Sequence, residues 1–331
     1  MRLWLTWEIQ RRNRTVSAQV NADLHELNVK AHWIIRYIIC AVKSLALLLK
    51  LRPSILFAQS PSIVLAALAV SWGRLFNIPV VIDAHNGGLF PFNGRKWWAN
   101  KLVKYTIGNA ALVLVHNRRL EKHIELNHGR AFVLPDPIPE FSTGSDRIAL
   151  MGTYNVIFIC TYSDDEPYTE VLKAAGKLDN DICVYVTGDS KGREKEWKAI
   201  MSPNVILTGF LSEWEYIKLL HSADIVMALT TREDCLLCGA YEGVGTAKPL
   251  IVSNTEVLKE YFPKGTLYVN NESSDIASKI YLAIRDLEPL GKESAELKRE
   301  KIEQWHERKT MLENILSHLE ADHSQSVRLH N

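Results

Sequence analysis

Apolar runs of strand length alternate with helix-length segments along this chain, and that rhythm restricts the fold more than any other feature. Early runs are Leu3–Leu5, Ile55–Ala58, Val80–Ile82, Leu112–Val115 and Ala131–Leu134, with helical stretches around 32–50, 63–76, 97–108 and 118–127. Continuous apolar runs, rather than polar/apolar alternation, predict strands buried on both faces of a parallel sheet that the helices cover. The segment Leu134-Pro-Asp-Pro-Ile-Pro-Glu-Phe-Ser-Thr-Gly-Ser145 breaks the rhythm. Three prolines in five residues, then Ser, Thr and Gly, predict a linker, with a hinge over Pro135–Ser145. The rhythm then restarts. Strands are expected at Val156–Cys160, Cys183–Thr187, Val205–Leu207, Ile225–Ala228, Pro249–Val252 and Thr266–Val269, and helices near 167–177, 192–199, 213–221, 236–247, 255–261 and 274–286. Glu293–Glu320 reads as one or two helices and the polar tail Ala321–Asn331 as disordered. The expected fold class is α/β, with two doubly wound Rossmann-like domains and ligands at the carboxyl ends of the strands.

Composition excludes several classes. With 331 residues, 47% of them hydrophobic and 23% charged, the chain is long enough for two globular cores. Its five cysteines are odd in number and irregularly spaced, which argues for a reducing compartment and against a disulfide framework. Cys235-Leu-Leu-Cys238 has half a zinc-site spacing, but no second pair completes it, so both cysteines read as packing residues of a short helix. The net charge of +1 conceals an asymmetry: residues 1–150 carry 19 basic and 9 acidic side chains, and the remainder 20 and 29. A basic first half suggests a domain that faces an anionic surface, such as lipid head groups, a lipid diphosphate or nucleic acid, with surface charge that has no partner as the plainer alternative. Nucleic acid is the weakest of these, because the basic residues are not interleaved with stacking aromatics. No signal-peptide core is present near Arg2. The most apolar stretch, Ala31–Leu51, is interrupted by Arg36 and Lys43 and so does not read as a transmembrane helix. A helix packed on the sheet is the preferred reading, and an interfacial helix the alternative. The expected location is cytoplasmic, peripheral at the inner face of the membrane.

The most specific chemical signal lies between 231 and 249. Asp234 and Glu242 stand eight residues apart, and Glu242-Gly-Val-Gly-Thr-Ala-Lys-Pro249 runs into an apolar strand. The stretch reads as a loop that carries Asp234, a short helix and a strand, and eight residues at 3.6 per turn would place Glu242 about two turns later on the same side. There the two carboxylates can accept hydrogen bonds from vicinal hydroxyls, as a ribose and a hexose offer. The pattern resembles the Glu, seven residues, Glu motif of retaining GT-B glycosyltransferases (family 4, "group 1" type), followed by their E-A-x-A-x-G-K-P run. The resemblance implies a GT-B fold, with two Rossmann-like domains facing a cleft and C-terminal helices crossing back to the N-terminal domain. It assigns 1–140 to an acceptor domain, 141–300 to a nucleotide-sugar-binding domain and 301–331 to the crossing helix and tail. It also implies that Glu242 binds the ribose and that Asp234, shorter than the family's Glu, approaches the donor sugar.

Other segments fit the same reading. Gly209-Phe210-Leu211-Ser212 resembles the loop that grips the nucleobase, with Ser212 capping the next helix. Thr187-Gly188-Asp189 follows another strand and lines the same pocket, with Lys191 and Arg193 beyond it. Where the family supplies Arg and Lys for the diphosphate, this chain reads Cys160-Thr-Tyr-Ser-Asp-Asp-Glu-Pro-Tyr168, which is acidic. The phosphates are then expected to use backbone N–H groups near Thr161 and Ser163, the helix N-terminus near Pro167, Gly245-Thr246, and Arg232 as the substitute cation. Arg232 paired with Glu233 is the plainer alternative.

In the first half, Asp83-Ala-His85-Asn86-Gly87-Gly88 resembles the family's D-x-H segment, with His85 donating a hydrogen bond near the donor sugar and Asp83 orienting the loop. Trp7, Glu8, Arg11, Arg12 and Arg14 replace the family's glycine-rich loop and read as an acceptor or phosphate clamp, together with Asn86 and Gly87; a disordered basic arm is the alternative. Trp97-Trp98 after Arg95-Lys96 reads as an interface contact or a helix start.

The resemblance implies front-face transfer with retention, in which the leaving diphosphate deprotonates the acceptor and the protein positions and stabilises charge. No cofactor beyond the nucleotide-sugar is expected, and no metal, since Asp179-Asn-Asp181 falls in a turn. The expected partners are a nucleotide-sugar donor, a lipid-linked or glycan acceptor in cell-surface glycan synthesis, and an anionic membrane touched by the basic domain. A nucleotide-sugar epimerase and a non-catalytic GT-B subunit are the alternative readings.

Overall fold

The computed structural model describes residues 1–141, 147–197 and 199–330. Ser142–Ser145 of the expected hinge and Asn331 of the expected tail lie outside them. The chain divides into two compact units, Met1–Asp136 with Gln304–Asn331, and Pro137–Glu303.

The first unit runs β1 (Arg2–Thr6), α1 (Arg11–Gln19), β2 (Ala22–Glu26), α2 (Trp33–Leu51), β3 (Ile55–Ser60), α3 (Ile63–Phe76), β4 (Val80–Ala84), α4 (Asn86–Leu89), α5 (Trp97–Asn109), β5 (Leu112–Val115), α6 (Arg118–Leu126) and β6 (Ala131–Val133). The six strands form one parallel sheet in the order β2-β1-β3-β4-β5-β6. Each apolar run is a strand of this sheet. Two elements carry no apolar signature in the sequence. β2 is an edge strand bonded only to β1, so its Ala-Asp-Leu-His-Glu sequence is left partly exposed. α1 turns Arg12, Asn13 and Ser17 inward beside Val16, so its buried face is largely polar. The region expected to be a clamp or a disordered arm is therefore in large part a helix.

The second unit runs β7 (Tyr154–Phe158), α7 (Tyr168–Ala175), β8 (Ile182–Thr187), α8 (Glu194–Trp197), β9 (Val205–Gly209), α9 (Glu213–Ser222), β10 (Ile225–Ala228), α10 (Cys238–Gly245), β11 (Leu250–Ser253), α11 (Glu256–Tyr261), β12 (Thr266–Val269), α12 (Ser273–Arg285) and the start of α13 (Leu287–His330). Its sheet is also parallel, in the order β12-β11-β10-β7-β8-β9. Ser212 caps α9 in a reciprocal box with Glu215, and Thr255 caps α11.

α13 is one continuous helix, and it is helical as far as His330, where a disordered tail was expected. Tertiary contacts explain the difference. Leu312 and Leu316 are fully buried with Trp4, Phe57 and Leu114 in the first unit's core. Arg2 bonds both Glu313 and Glu320, and the His323 ring donates from Nδ1 to the Asn77 carbonyl at 2.8 Å.

α2 is packed on the sheet, as the preferred reading has it, but by one face only. Cys40, Ser44 and Leu48 are buried against the sheet, but an apolar stripe on its other side is exposed. Among the described residues no helix is long and apolar enough to cross a membrane.

Candidate functional site

The strand order of the second sheet reverses direction between β7 and β10. Doubly wound sheets bind ligands outside the carboxyl ends of the strands at such a switch point. The loops leaving β7 and β10 meet there. Asp165 accepts a hydrogen bond from Thr230 Oγ1 at 2.9 Å, its carbonyl accepts from Thr231 N at 2.7 Å, and its carboxylate pairs with Arg232 at 3.3 Å. Arg232 is thus held by Asp165 rather than Glu233, although its side chain remains 58% exposed.

The β7–α7 loop departs from the expectation. Thr161 N, Thr161 Oγ1 and Ser163 N all donate to the Glu166 carboxylate, at 2.9, 3.0 and 2.8 Å. Tyr162, between them, adopts φ +57°, which turns both flanking N–H groups toward one anion. The donors expected to receive phosphate are therefore committed to an internal carboxylate, and a phosphate would have to displace it. Arg193 is equally committed: its guanidinium lies 5.4–5.7 Å from the Tyr162, Tyr168 and Trp197 ring centres and donates to the Tyr162 carbonyl and the Tyr168 hydroxyl. Gly188 lines this loop from β8. It adopts φ +92°, and a Cβ there would lie 2.2 Å from the Cys160 carbonyl oxygen.

Glu242 lies in the second turn of α10 and accepts a hydrogen bond from the Tyr216 hydroxyl of α9. α9 follows the turn at Gly209, whose φ is +67°, where Phe210 is 88% exposed and Leu211 half-buried. Asp234 is half-buried in the loop before α10, where the loop, helix and strand reading puts it; helical phase therefore does not by itself relate it to Glu242. Gly245 and Thr246, expected among the phosphate donors, lie at the opposite end of α10 from its N-terminus. They close α10 at its C-terminal end, where carbonyls rather than N–H groups are unsatisfied. Thr246 Oγ1 donates to the Gly243 carbonyl, and Gly245 is buried beneath Pro139 and Phe141. Of the cysteine pair, Cys235 is half-buried, with its thiol pushed up to about 11 by burial and by Asp165, whereas Cys238 opens α10 and is exposed. Asp179–Asp181 lies between α7 and β8, with Asp179 N bonded to the Tyr281 hydroxyl.

In the first unit the switch point falls between β1 and β3. Thr6, Gln10, Asn13, Gln59 and His85 form a hydrogen-bonded cluster there: Gln59 Oε1 accepts from Thr6 and Asn13, and Gln59 Nε2 lies 2.6 Å from Gln10 Oε1 and 3.2 Å from His85 Nε2. His85 follows β4, is half-buried and lies 3.3 Å from Asp83. Asn86 and Gly87 begin α4 directly after it.

Two expected clamp residues, Arg12 and Trp7, are buried supports instead, and Asp83, expected to orient the loop, pairs with one of them. Asp83 is fully buried and paired with Arg12 at 2.8 Å. Arg12 is itself 6% exposed and also holds Asp136 and the Leu134 carbonyl, so it is not available to a phosphate. Trp7 is buried, with Nε1 donating to Ser44. Of the other clamp residues, Arg14 pairs with Glu26 at the surface, Glu8 accepts from Gln10, and Arg11 is exposed.

Burial, the largest single influence, would raise the Asp83 carboxyl, but Arg12 and His85 together outweigh it and hold it well below the usual carboxylate range. His116 packs 4.7 Å from the His85 ring, and burial together with the nearby Arg12 and His85 pushes it down to about 3. Both shifts give stability that falls with acid. The His116 contribution is complete above about pH 6.5 and is lost as the pH drops toward 3. Asp83 adds a loss at lower pH, below the ordinary carboxylate range. The urea midpoint should therefore fall from pH 6.5 downward, and His116→Gln should flatten the limb between about pH 6.5 and 4. An unchanged limb in the variant would remove His116 as its source.

Sequence reading missed Gln59, His116, Asp136, Tyr216, Asp165 and Glu166. Two of these have a usable signal: Gln59 is a polar residue near the carboxyl end of a strand that begins Ile-Leu-Phe-Ala, and Glu166 stands just ahead of a Pro that opens a helix. Tyr216 has no local signal.

No family model and no curated protein matches the sequence. Solved structures do match. A sucrose-phosphate synthase from Thermosynechococcus elongatus superposes with a TM-score of 0.72 at 13% identity, over 91% of this chain and 84% of its own. Anabaena HepE in complex with UDP gives 0.69 at 12% identity, over 92% and 88%. A UDP-forming α,α-trehalose-phosphate synthase from Burkholderia xenovorans gives 0.66 at 14% identity, over 85% and 78%. The fold is GT-B. In this GT-B chain Glu242, Arg232, Asp234 and the Gly209–Leu211 turn all belong to the second unit, and His85 to the first.

Proposed function

We propose that the chain is a glycosyltransferase that takes its donor as a nucleotide-sugar in the second unit. The observation that carries this reading is the setting of Glu242. Tyr216 holds its carboxylate, and Tyr216 belongs to the helix opened by the Gly209–Leu211 turn, at the carboxyl edge of a doubly wound sheet. A carboxylate so held can accept from vicinal ribose hydroxyls, while the exposed Phe210 offers a face to a base. The similar Anabaena HepE was solved with UDP, and another chain in the comparison is a UDP-forming synthase, which supports a nucleotide diphosphate as leaving group. In this reading transfer proceeds with retention and without a metal. Asp234 faces the donor sugar and His85 serves as a hydrogen-bonding side chain. The acceptor is lipid-linked or a polysaccharide, bound through the basic first unit at an anionic membrane.

A second reading, a non-catalytic GT-B subunit, is favoured by one observation: Glu166, Asp165 and the aromatic box around Arg193 occupy the groups that would otherwise hold a diphosphate.

A thermal-shift panel of UDP, GDP, dTDP, CDP and ADP separates the two. Catalysis requires one nucleotide to stabilise the protein selectively, by about 2.7 kcal/mol at a hundredfold over its Kd. No shift with any of them would discard the transferase reading in favour of the subunit.

A further inference from the structure

α2 displays an apolar face that the described residues leave uncovered. Ile34, Ile35, Ile38, Val42, Leu45 and Leu49 are between 36% and 61% exposed, and Trp33 at the helix start is 66% exposed. At 100° per residue the six aliphatic residues span about 100° of the helix circumference, opposite the face that packs Cys40, Ser44 and Leu48. A contiguous stripe of this kind on a folded unit marks an interaction surface. Its charge setting is one-sided: residues 30–52 contain Lys30, Arg36, Lys43, Lys50 and Arg52 and no Asp or Glu. Lys43 and Lys50 are exposed and follow the stripe along one border.

That charge pattern selects the occupant. Pairing with α2 of a second copy would bring two apolar seams together, but it would also juxtapose lysines with no acidic residue on either helix to answer them. An anionic bilayer surface supplies both the apolar medium and the countercharge. A second exposed group points the same way. Phe92, Trp97 and Trp98 are 57%, 70% and 47% exposed beside Arg95 and Lys96, and Lys101 lies 4.9 Å over the Trp97 ring. α2 follows the carboxyl end of β2 and α5 follows that of β4. In a parallel sheet these ends share one edge, so Trp33 and the Trp97–Trp98 pair lie toward the same rim. Tryptophan beside lysine is the composition favoured at head-group depth.

We propose that α2 lies in the surface of an anionic phospholipid bilayer, its stripe about 5–10 Å into the head-group boundary, with Trp97 and Trp98 at the same interface. This gives a location to the peripheral contact named above, and it does not depend on donor binding.

The test is vesicle co-sedimentation of the full chain, with phosphatidylcholine alone or with about a third of it replaced by phosphatidylglycerol. The wild type should bind the anionic vesicles at least about tenfold more strongly. Ile38→Asp with Val42→Asp should lower that binding by about tenfold or more. Lys43→Glu with Lys50→Glu should lower it on anionic vesicles only, by about 30-fold, at roughly fivefold per basic residue removed. All four side chains are exposed, so the melting temperature should not change. Equal partition onto both vesicle types, or variants that bind like the wild type, would overturn the proposal. So would a wild-type dimer in light scattering that the Ile38/Val42 variant dissociates. The nucleotide panel reads donor binding separately, so failure on vesicles with a retained nucleotide shift removes only the docking surface.

Discussion

Arg12→Met should destabilise the protein by about 3–5 kcal/mol, the usual cost of removing one partner of a buried ion pair. The guanidinium is 4% exposed and donates to both oxygens of Asp83, to Asp136 and to the Leu134 carbonyl, so its loss strands a fully buried carboxylate and a carbonyl together. Urea unfolding at pH 7 would measure the loss, and a change below about 1 kcal/mol would show that these contacts do not support the first unit. The pH dependence supplies a second check. In the wild type Asp83 is held low by Arg12, so its stabilisation is present above the ordinary carboxylate range and is lost on acidification. Without Arg12, only His85 opposes burial, so Asp83 takes up its proton at a higher pH than in the wild type and the variant loses less on acidification; the gap between the two proteins should narrow as the pH falls. Adding Asp83→Leu to the variant should recover part of the loss, because apolar replacement of a whole buried pair is often neutral.

Glu242→Ala should weaken binding of the selected nucleotide by about 1.5–3 kcal/mol, the range for hydrogen bonds to a charged group, or roughly tenfold to 150-fold in Kd. Titration calorimetry would read it directly. Tyr216→Phe should have a smaller effect, about 0.5–1.5 kcal/mol, because it removes only the hydroxyl that holds the carboxylate. The side chain of Glu242 lies on the helix surface toward α9 rather than in the core, so the melting temperature of the free protein should change little. An Ala variant with wild-type affinity would remove Glu242 from the nucleotide site.

The two sheets were legible because burial on both faces is written into local composition. Every apolar run became a strand, and the Ser212 cap and the Gly209 turn followed from the immediate neighbours. The polar edge strand β2 and the helix α1 were not legible. Their signature depends on what lies beside them, and α1 buries arginine and asparagine where an amphipathic pattern would place leucine.

The candidate site divides the same way. The sequence alone determined which segments stand at the carboxyl ends of the strands, and hence where Glu242, His85 and the Gly209–Leu211 turn would be placed. Only the tertiary structure decided which polar groups are already committed. Arg12 finds Asp83 at 71 residues' separation and Asp136 at 124, and together they turn an expected clamp residue into a support. The N–H groups of Thr161 and Ser163 read as open phosphate donors until the backbone turn at Tyr162 aims both at Glu166. The apolar residues of α2 suited a packed helix, the preferred reading, and an interfacial one as well, and only the fold decided which face is covered and which is exposed. Apolar burial is additive along the chain and can be read locally, whereas a hydrogen bond or an ion pair exists only where the fold brings two particular atoms within about 3 Å.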